Sequence, residues 1–110
     1  MELPFIDSLR VDQSKITGFL LNEATGRGKA TFFPRLGFRS DDWEALAAAL
    51  KAQARDNPVV SVVDSRYGKR YSVDGAIATP DHRQPRPRVR TVWILETATK
   101  APRLITAHPV

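Results

Sequence analysis

The chain contains no cysteine, and that absence removes three chemistries at once: a disulfide framework, a thiolate nucleophile and cysteine-ligated zinc. Long apolar runs are missing too. Nothing approaches the roughly 18 residues a membrane span needs, and the opening Met1-Glu2-Leu3-Pro4-Phe5-Ile6 lacks the basic start and apolar core of a signal peptide. A cytoplasmic location without membrane association is therefore the expectation. Histidine is scarce: His82 and His108 fall in different predicted elements, with no His-Glu-x-x-His and no acidic pair at loop spacing. No metal site and no cofactor are expected. The glycines near Lys29 follow no predicted strand, so phosphate-loop and dinucleotide fingerprints fail. No nucleophile-elbow pattern supports a serine triad.

What the chain has is a core and a lopsided charge. At 110 residues with 42% hydrophobic content it fits one domain, residues 1–110, with a single core. The formal net charge is +5. Residues 1–57 carry eight bases against eight acids, whereas residues 58–110 carry nine bases against four acids. The whole excess lies in the second half, as a surface for phosphate or for an acidic partner would require. A net charge of this size also suits a plain solubilising surface.

The first half reads as helical. Asp12 or Ser14 is placed to cap a short helix in which Ile16, Phe19 and Leu20 share a face, with Asn22 as its stop. Lys29 to Leu36 holds Phe32, Phe33 and Leu36 at helical spacing, although Pro34 suits only a first turn. Arg27 and Lys29, set among Gly26 and Gly28, are placed to receive an anion on helix-start N–H groups; the glycines fit a simple turn equally well. Ser40 to Asn57 is the clearest helix. Ser40 stands at the N-cap, Asp41, Asp42 and Glu44 fill the first turn, Trp43, Leu46, Ala47, Leu50 and Ala54 form the stripe, and Asn57-Pro58 ends it.

From Pro58 the hydrophobic period becomes two. Val59 to Ser65 and Arg70 to Ala78 are predicted strands around an Arg66-Tyr67-Gly68-Lys69 turn. On the second, Tyr71, Val73 and Ile77 share one face and Arg70, Ser72 and Asp74 the other. Thr79 to Pro87 is an exposed loop, Arg88 to Thr97 the central strand, and Arg103 to His108 the last. Helices followed by strands on short connections predict an α+β fold: N-terminal helices on one face of a four-stranded antiparallel sheet.

Arg86 to Glu96 joins a proline-spaced arginine cluster to a β-branched and aromatic run, so a rigid sheet aims its cations. The donors on the predicted sheet are Tyr71, Arg90, Thr91, Arg103, Thr106 and His108, with Lys29 and His82 from loops. Cleavage of RNA by its own 2′-OH needs a base, an acid and cations around phosphorus, and these residue types supply all of them without a metal. Arginine's planar fork holds two phosphate oxygens at once. Lys15, Arg27, Tyr71, His82, Arg86 and Arg88 are the candidates for gripping RNA. The competing reading is structural: Arg90 and Arg103 fit cross-strand pairs with Asp74 or Glu96, and the threonines are ordinary strand residues. Because both faces of the Arg88 strand are apolar, the pattern does not decide whether Arg90 or Thr91 faces outward.

Five pieces of the chain resemble a family of small bacterial domains of unknown function, found alone and at the C-terminal tips of polymorphic toxins. They are Lys15-Ile-Thr-Gly-Phe-Leu-Leu-Asn, Gly28-Lys29-Ala-Thr-Phe-Phe, Tyr67-Gly68-Lys69-Arg70-Tyr71, Val89-Arg90-Thr91-Val92-Trp93 and Pro102-Arg103-Leu104-Ile105-Thr106-Ala107. The element order is similar to the barnase, EndoU and RelE-like ribonuclease superfamily, a fold-level analogy. The resemblance implies a toxin neutralised by a partner, with Lys15, Lys29, Arg90, Thr91, Arg103 and Thr106 on motif positions; His108 stands where the family carries another ring. Two readings follow. One is a metal-independent endoribonuclease in which Lys29 or His108 moves protons and Arg90 and Arg103 hold phosphate charge. The other is a non-catalytic module that docks on an acidic antitoxin or immunity protein.

Overall fold

The computed structural model describes residues 1–21 and 28–110, with residues 28–31 as backbone only. Helices precede strands, as the pattern predicts. Helix α1 (Gln13–Lys15) runs directly into a widened turn over Ile16–Leu20, closed by the Leu21 N–H on the Ile16 carbonyl at 2.8 Å. Asp12 precedes it in extended conformation with no side-chain cap bond, and Ser14 lies inside the helix. Ile16 and Leu20 are fully buried, whereas Phe19, expected beside them, is 40% exposed. The five-residue turn rotates Phe19 off the inward face.

Helix α2 is Gly28–Arg35, and Pro34 sits near its end rather than in its first turn. A missing N–H is tolerated there because the chain tightens next: Leu36 donates to Phe33 O and Gly37 to Pro34 O at 3.1 and 3.0 Å. Gly37, at φ +99°, then takes a conformation closed to most side chains. Ser40 does not cap the third helix. Ser40–Asp42 forms a separate tight turn ahead of α3 (Trp43–Asp56), and neither flanking residue makes a side-chain cap bond. Asp41 is occupied instead by Arg39, at 2.9 and 3.0 Å.

Four strands form the sheet in the order β1 (Val59–Ser65), β2 (Gly68–Ala76), β3 (Arg88–Glu96), β4 (Arg103–Pro109), each antiparallel to the next. The turn between β1 and β2 has two residues, Arg66 and Tyr67, and β2 begins at Gly68, two residues before its predicted start. At φ +142°, a Cβ on Gly68 would strike the Leu95 carbonyl. The helices cover one face. Tyr71, Val73, Val89, Thr91, Trp93, Leu104 and Ala107 lie on it at 5% exposure or less, packed under Leu46, Leu50 and Phe33. A bulge beside Val92 and Trp93 keeps both Leu104 and Ala107 on that face although they are three residues apart.

A polar chain stitches α3 to the sheet inside this core. Gln53, 2% exposed, donates to the carbonyls of Val73 and Val89 at 2.9 and 3.0 Å. Its Oε1 accepts from the Thr91 hydroxyl at 2.8 Å, and that hydroxyl accepts from the Trp93 indole at 2.8 Å. Asn57 donates to Gln53 O at 2.8 Å and fits against the strand because Gly75 has no Cβ to meet it. Every buried donor and acceptor on the three side chains is used, which fixes the angle between helix and sheet. No described helix is long and apolar enough to cross a membrane.

Candidate functional site

Strand alternation sends Arg90, Val92 and Ile94 away from the helices while Val89, Thr91 and Trp93 are buried beneath them. The outward residues align across the strands in rungs. Asp74, Arg90 and His108 form one; Ser72, Val92 and Thr106 the next; Arg70, Ile94 and Arg103 the third. Arg88 lies at the outer end of β3, exposed, opposite Ala76.

The first rung concentrates the chemistry. Arg90 grips Asp74 with two bonds, Nε to Oδ1 at 2.6 Å and Nη2 to Oδ2 at 2.9 Å. The guanidinium holds the Asp74 carboxyl below the usual carboxylate range, and the charges of Arg88 and His108 add to the effect. Two of arginine's N–H groups are spent, so the Nη1 edge remains for a second acceptor. His108 Nδ1 lies 3.1 Å from the Pro109 carbonyl. A carbonyl only accepts, so this contact is a hydrogen bond when Nδ1 carries the proton, which leaves Nε2 with the free lone pair. In the second rung the Thr106 hydroxyl is shielded from solvent and has no hydrogen-bond partner among the described residues.

The sequence candidates divide by position. Arg88, Arg90, Thr106 and His108 come together on the uncovered face. Arg103 shares that face, but four residues along β3 separate its rung from Arg90, about 13 Å. It pairs with Glu96 at 3.2 Å. Thr91 and Tyr71 lie in the core under the helices, 0% and 5% exposed, and the Thr91 hydroxyl is already bonded at both ends. Lys15 stands in the helical layer with Nζ 5.5 Å from the Phe19 ring centre. His82 and Arg86 are exposed in the loop before β3. That loop is drawn toward α2 by Arg83, which bonds Asp81 and the Arg35 carbonyl. Arg27 lies outside the described residues, as does the side chain of Lys29.

Two residues that matter here carry no weight in the sequence reading. Asp74 figures there only as an ion-pair partner, yet it orients the central arginine. Gln53 is missed, although its spacing from Leu46 and Leu50 puts it on the apolar stripe of α3, where a polar residue signals a buried bond. A cleft of about 460 Å³ between Gly37, Phe38, Ala45, Ala49, Thr79 and Pro80 lies on the helical side and contains none of the sequence candidates.

The family described as a domain of unknown function, DUF6883, matches residues 2–110. No curated protein matches the chain in sequence. A solved structure shares the fold: a chain of the contact-dependent growth inhibition toxin–immunity protein complex from Klebsiella pneumoniae 342. Its TM-score is 0.73 at 20% identity, over 96% of each chain.

Proposed function

The chain belongs to the DUF6883 family, and from that premise we propose that it is a toxin-like domain that cleaves RNA without a metal and is held in check by a neutralising protein. The observation that carries this reading is the Asp74–Arg90–His108 rung on the sheet face that no described helix covers. Arg90 is oriented by Asp74 and keeps its Nη1 edge for a phosphate oxygen; Arg88 stands beside it. His108 Nε2 is the group there that can take and return a proton. In the step envisaged, the ribose 2′-oxygen bonds to phosphorus as its proton passes to Nε2, and the bond from phosphorus to the 5′-oxygen breaks. The products are a 2′,3′-cyclic phosphate and a 5′-hydroxyl, the latter protonated from solvent or from the imidazolium. Arginine charge stabilises the phosphorane between them. Likeness in fold to a chain from a toxin–immunity complex supports the toxin and partner halves of the proposal by analogy.

A second reading has its own observation. Arg90 and Arg103 each pair with a carboxylate, Asp74 and Glu96, which lowers the free positive charge on the face and suits a module that binds a protein without catalysis. Incubation of purified protein with RNA in excess chelator separates the two. Fragments ending in cyclic phosphate and 5′-hydroxyl are expected; RNA left intact at micromolar protein favours the binding module.

A further inference from the structure

Half of the exposed large hydrophobic residues of the described chain lie within eight consecutive positions. Val60, Val62, Val63 and Tyr67 are 51%, 42%, 56% and 58% exposed, all in the β1–β2 hairpin. Strand β1 is also an edge of the sheet: β2 pairs one side, and no described strand lies beyond the other. The opposite edge is treated differently. There Arg10 lies along β4, its N–H bonded to Pro102 O at 2.8 Å and its carbonyl receiving the Leu104 N–H at 2.9 Å. On β1 the corresponding cover is one bond, Val59 N–H to Met1 O at 2.7 Å. From residue 60 onward the outward backbone groups have no described protein partner.

The valines point to the kind of cover that is missing. Val62 pairs with Tyr71, on the helix side, and Val63 pairs with Arg70, on the uncovered side. An element laid on either face would shield only one of them. A strand added beside β1 would satisfy the open backbone groups and bring side chains alongside the valines on both faces. Charge indicates its composition: the end of the hairpin around the turn, residues 60–70, carries Arg66, Lys69 and Arg70 against Asp64 alone, and Asp74, farther along β2, is held by Arg90. Lys69 is paired with Asp64 at 3.0 Å, Arg66 lies over the Tyr67 ring, and among the described residues Arg70 faces no carboxylate.

We propose that the outer edge of β1, from Val60 to Ser65, receives an extended segment of an acidic partner protein, alternating apolar and carboxylate side chains. A second copy of this chain is the poorer occupant, because it would bring together two hairpins of the same sign on molecules that each carry +5. The proposal rests on the partner half of the reading above and is independent of RNA cleavage.

The test uses a capped synthetic peptide of alternating valine and glutamate with the ¹⁵N-labelled full chain. Binding is expected to shift the amide signals of residues 60–65 and slow their hydrogen exchange. A valine–lysine peptide should bind at least tenfold more weakly, and so should the valine–glutamate peptide to a V62K/V63K variant whose remaining spectrum matches the wild type. Shifts centred elsewhere, no binding at millimolar peptide, or equal binding of the two peptides would overturn the proposal. So would sedimentation showing that the chain pairs with itself through β1. None of these results touches the cleavage assay, so either reading can fail alone.

Discussion

An Arg90→Ala variant is expected to cleave RNA in chelator about a hundred- to a thousandfold more slowly than the wild type, the usual cost of removing one preorganised donor from a developing oxyanion. The loss follows from geometry. Asp74 takes Nε and Nη2 and so fixes the plane of the guanidinium, leaving the Nη1 donors to bind phosphate. The single substitution also leaves Asp74, whose side chain is 15% exposed, without its cation, and some stability goes with it. An R90A/D74N double variant removes the stranded charge and is expected to recover folding without recovering rate. Arg90→Lys keeps the charge but not the fork, so its rate should fall between. A double variant that cuts RNA at the wild-type rate would show that the rung holds structure and nothing more.

The same pair makes stability depend on acid. Arg90 holds the folded-state pKa of Asp74 below its ordinary value. Its contribution is therefore complete above the ordinary carboxylate pKa and is lost as the pH falls through the lowered one. Asp74→Asn should flatten that part of the acid-unfolding curve and leave the neutral region offset but parallel.

Trp93→Ala is expected to cost about 3–5 kcal/mol, read from urea unfolding at neutral pH. Trp93 is completely buried, and its indole N–H is one end of the chain that continues through Thr91 to Gln53 and on to two strand carbonyls. Removing the ring opens a cavity in the helix-facing layer and takes the indole donor from the Thr91 hydroxyl. Thr91→Val isolates the polar part: shape is kept while the indole N–H and Gln53 Oε1 lose their partner, at about 1–3 kcal/mol for each buried group left unsatisfied. Because α3 is fixed to the sheet by these bonds, Thr91→Val should lower stability while sparing the chemistry on the opposite face. A loss of cleavage at full stability would instead return Thr91 to the site.

Period and punctuation made most of the architecture legible. The switch to alternation at Pro58 and the turn just before Gly68 marked the first two strands, and Asn57-Pro58 marked the end of α3. The helix starts were harder to read, since capping is a bond and not a residue type. Ser40 and Asp12 have the right side chains, but the chain enters each helix by another route, through a tight turn at Ser40–Asp42 and an extended step at Asp12. The facing of Arg90 against Thr91 was illegible for a physical reason. A central strand is apolar on both sides, and only Gln53, contributed 38 residues earlier in the chain, identifies the covered one. The cross-strand pairing of Arg90 with Asp74 was among the options the sequence offered, whereas the alignment of His108 with that pair was hidden, because register between strands, and not composition, puts the three in line.

The most direct test of where RNA sits is an amide and side-chain shift map of the labelled protein with a short oligonucleotide made uncleavable by a 2′-deoxy substitution. The account predicts the largest changes at Arg88, Arg90, Thr106 and His108, on the side of the sheet away from α3. Changes confined to the cleft between Gly37 and Pro80, or none at oligonucleotide concentrations that saturate a basic surface, would contradict it.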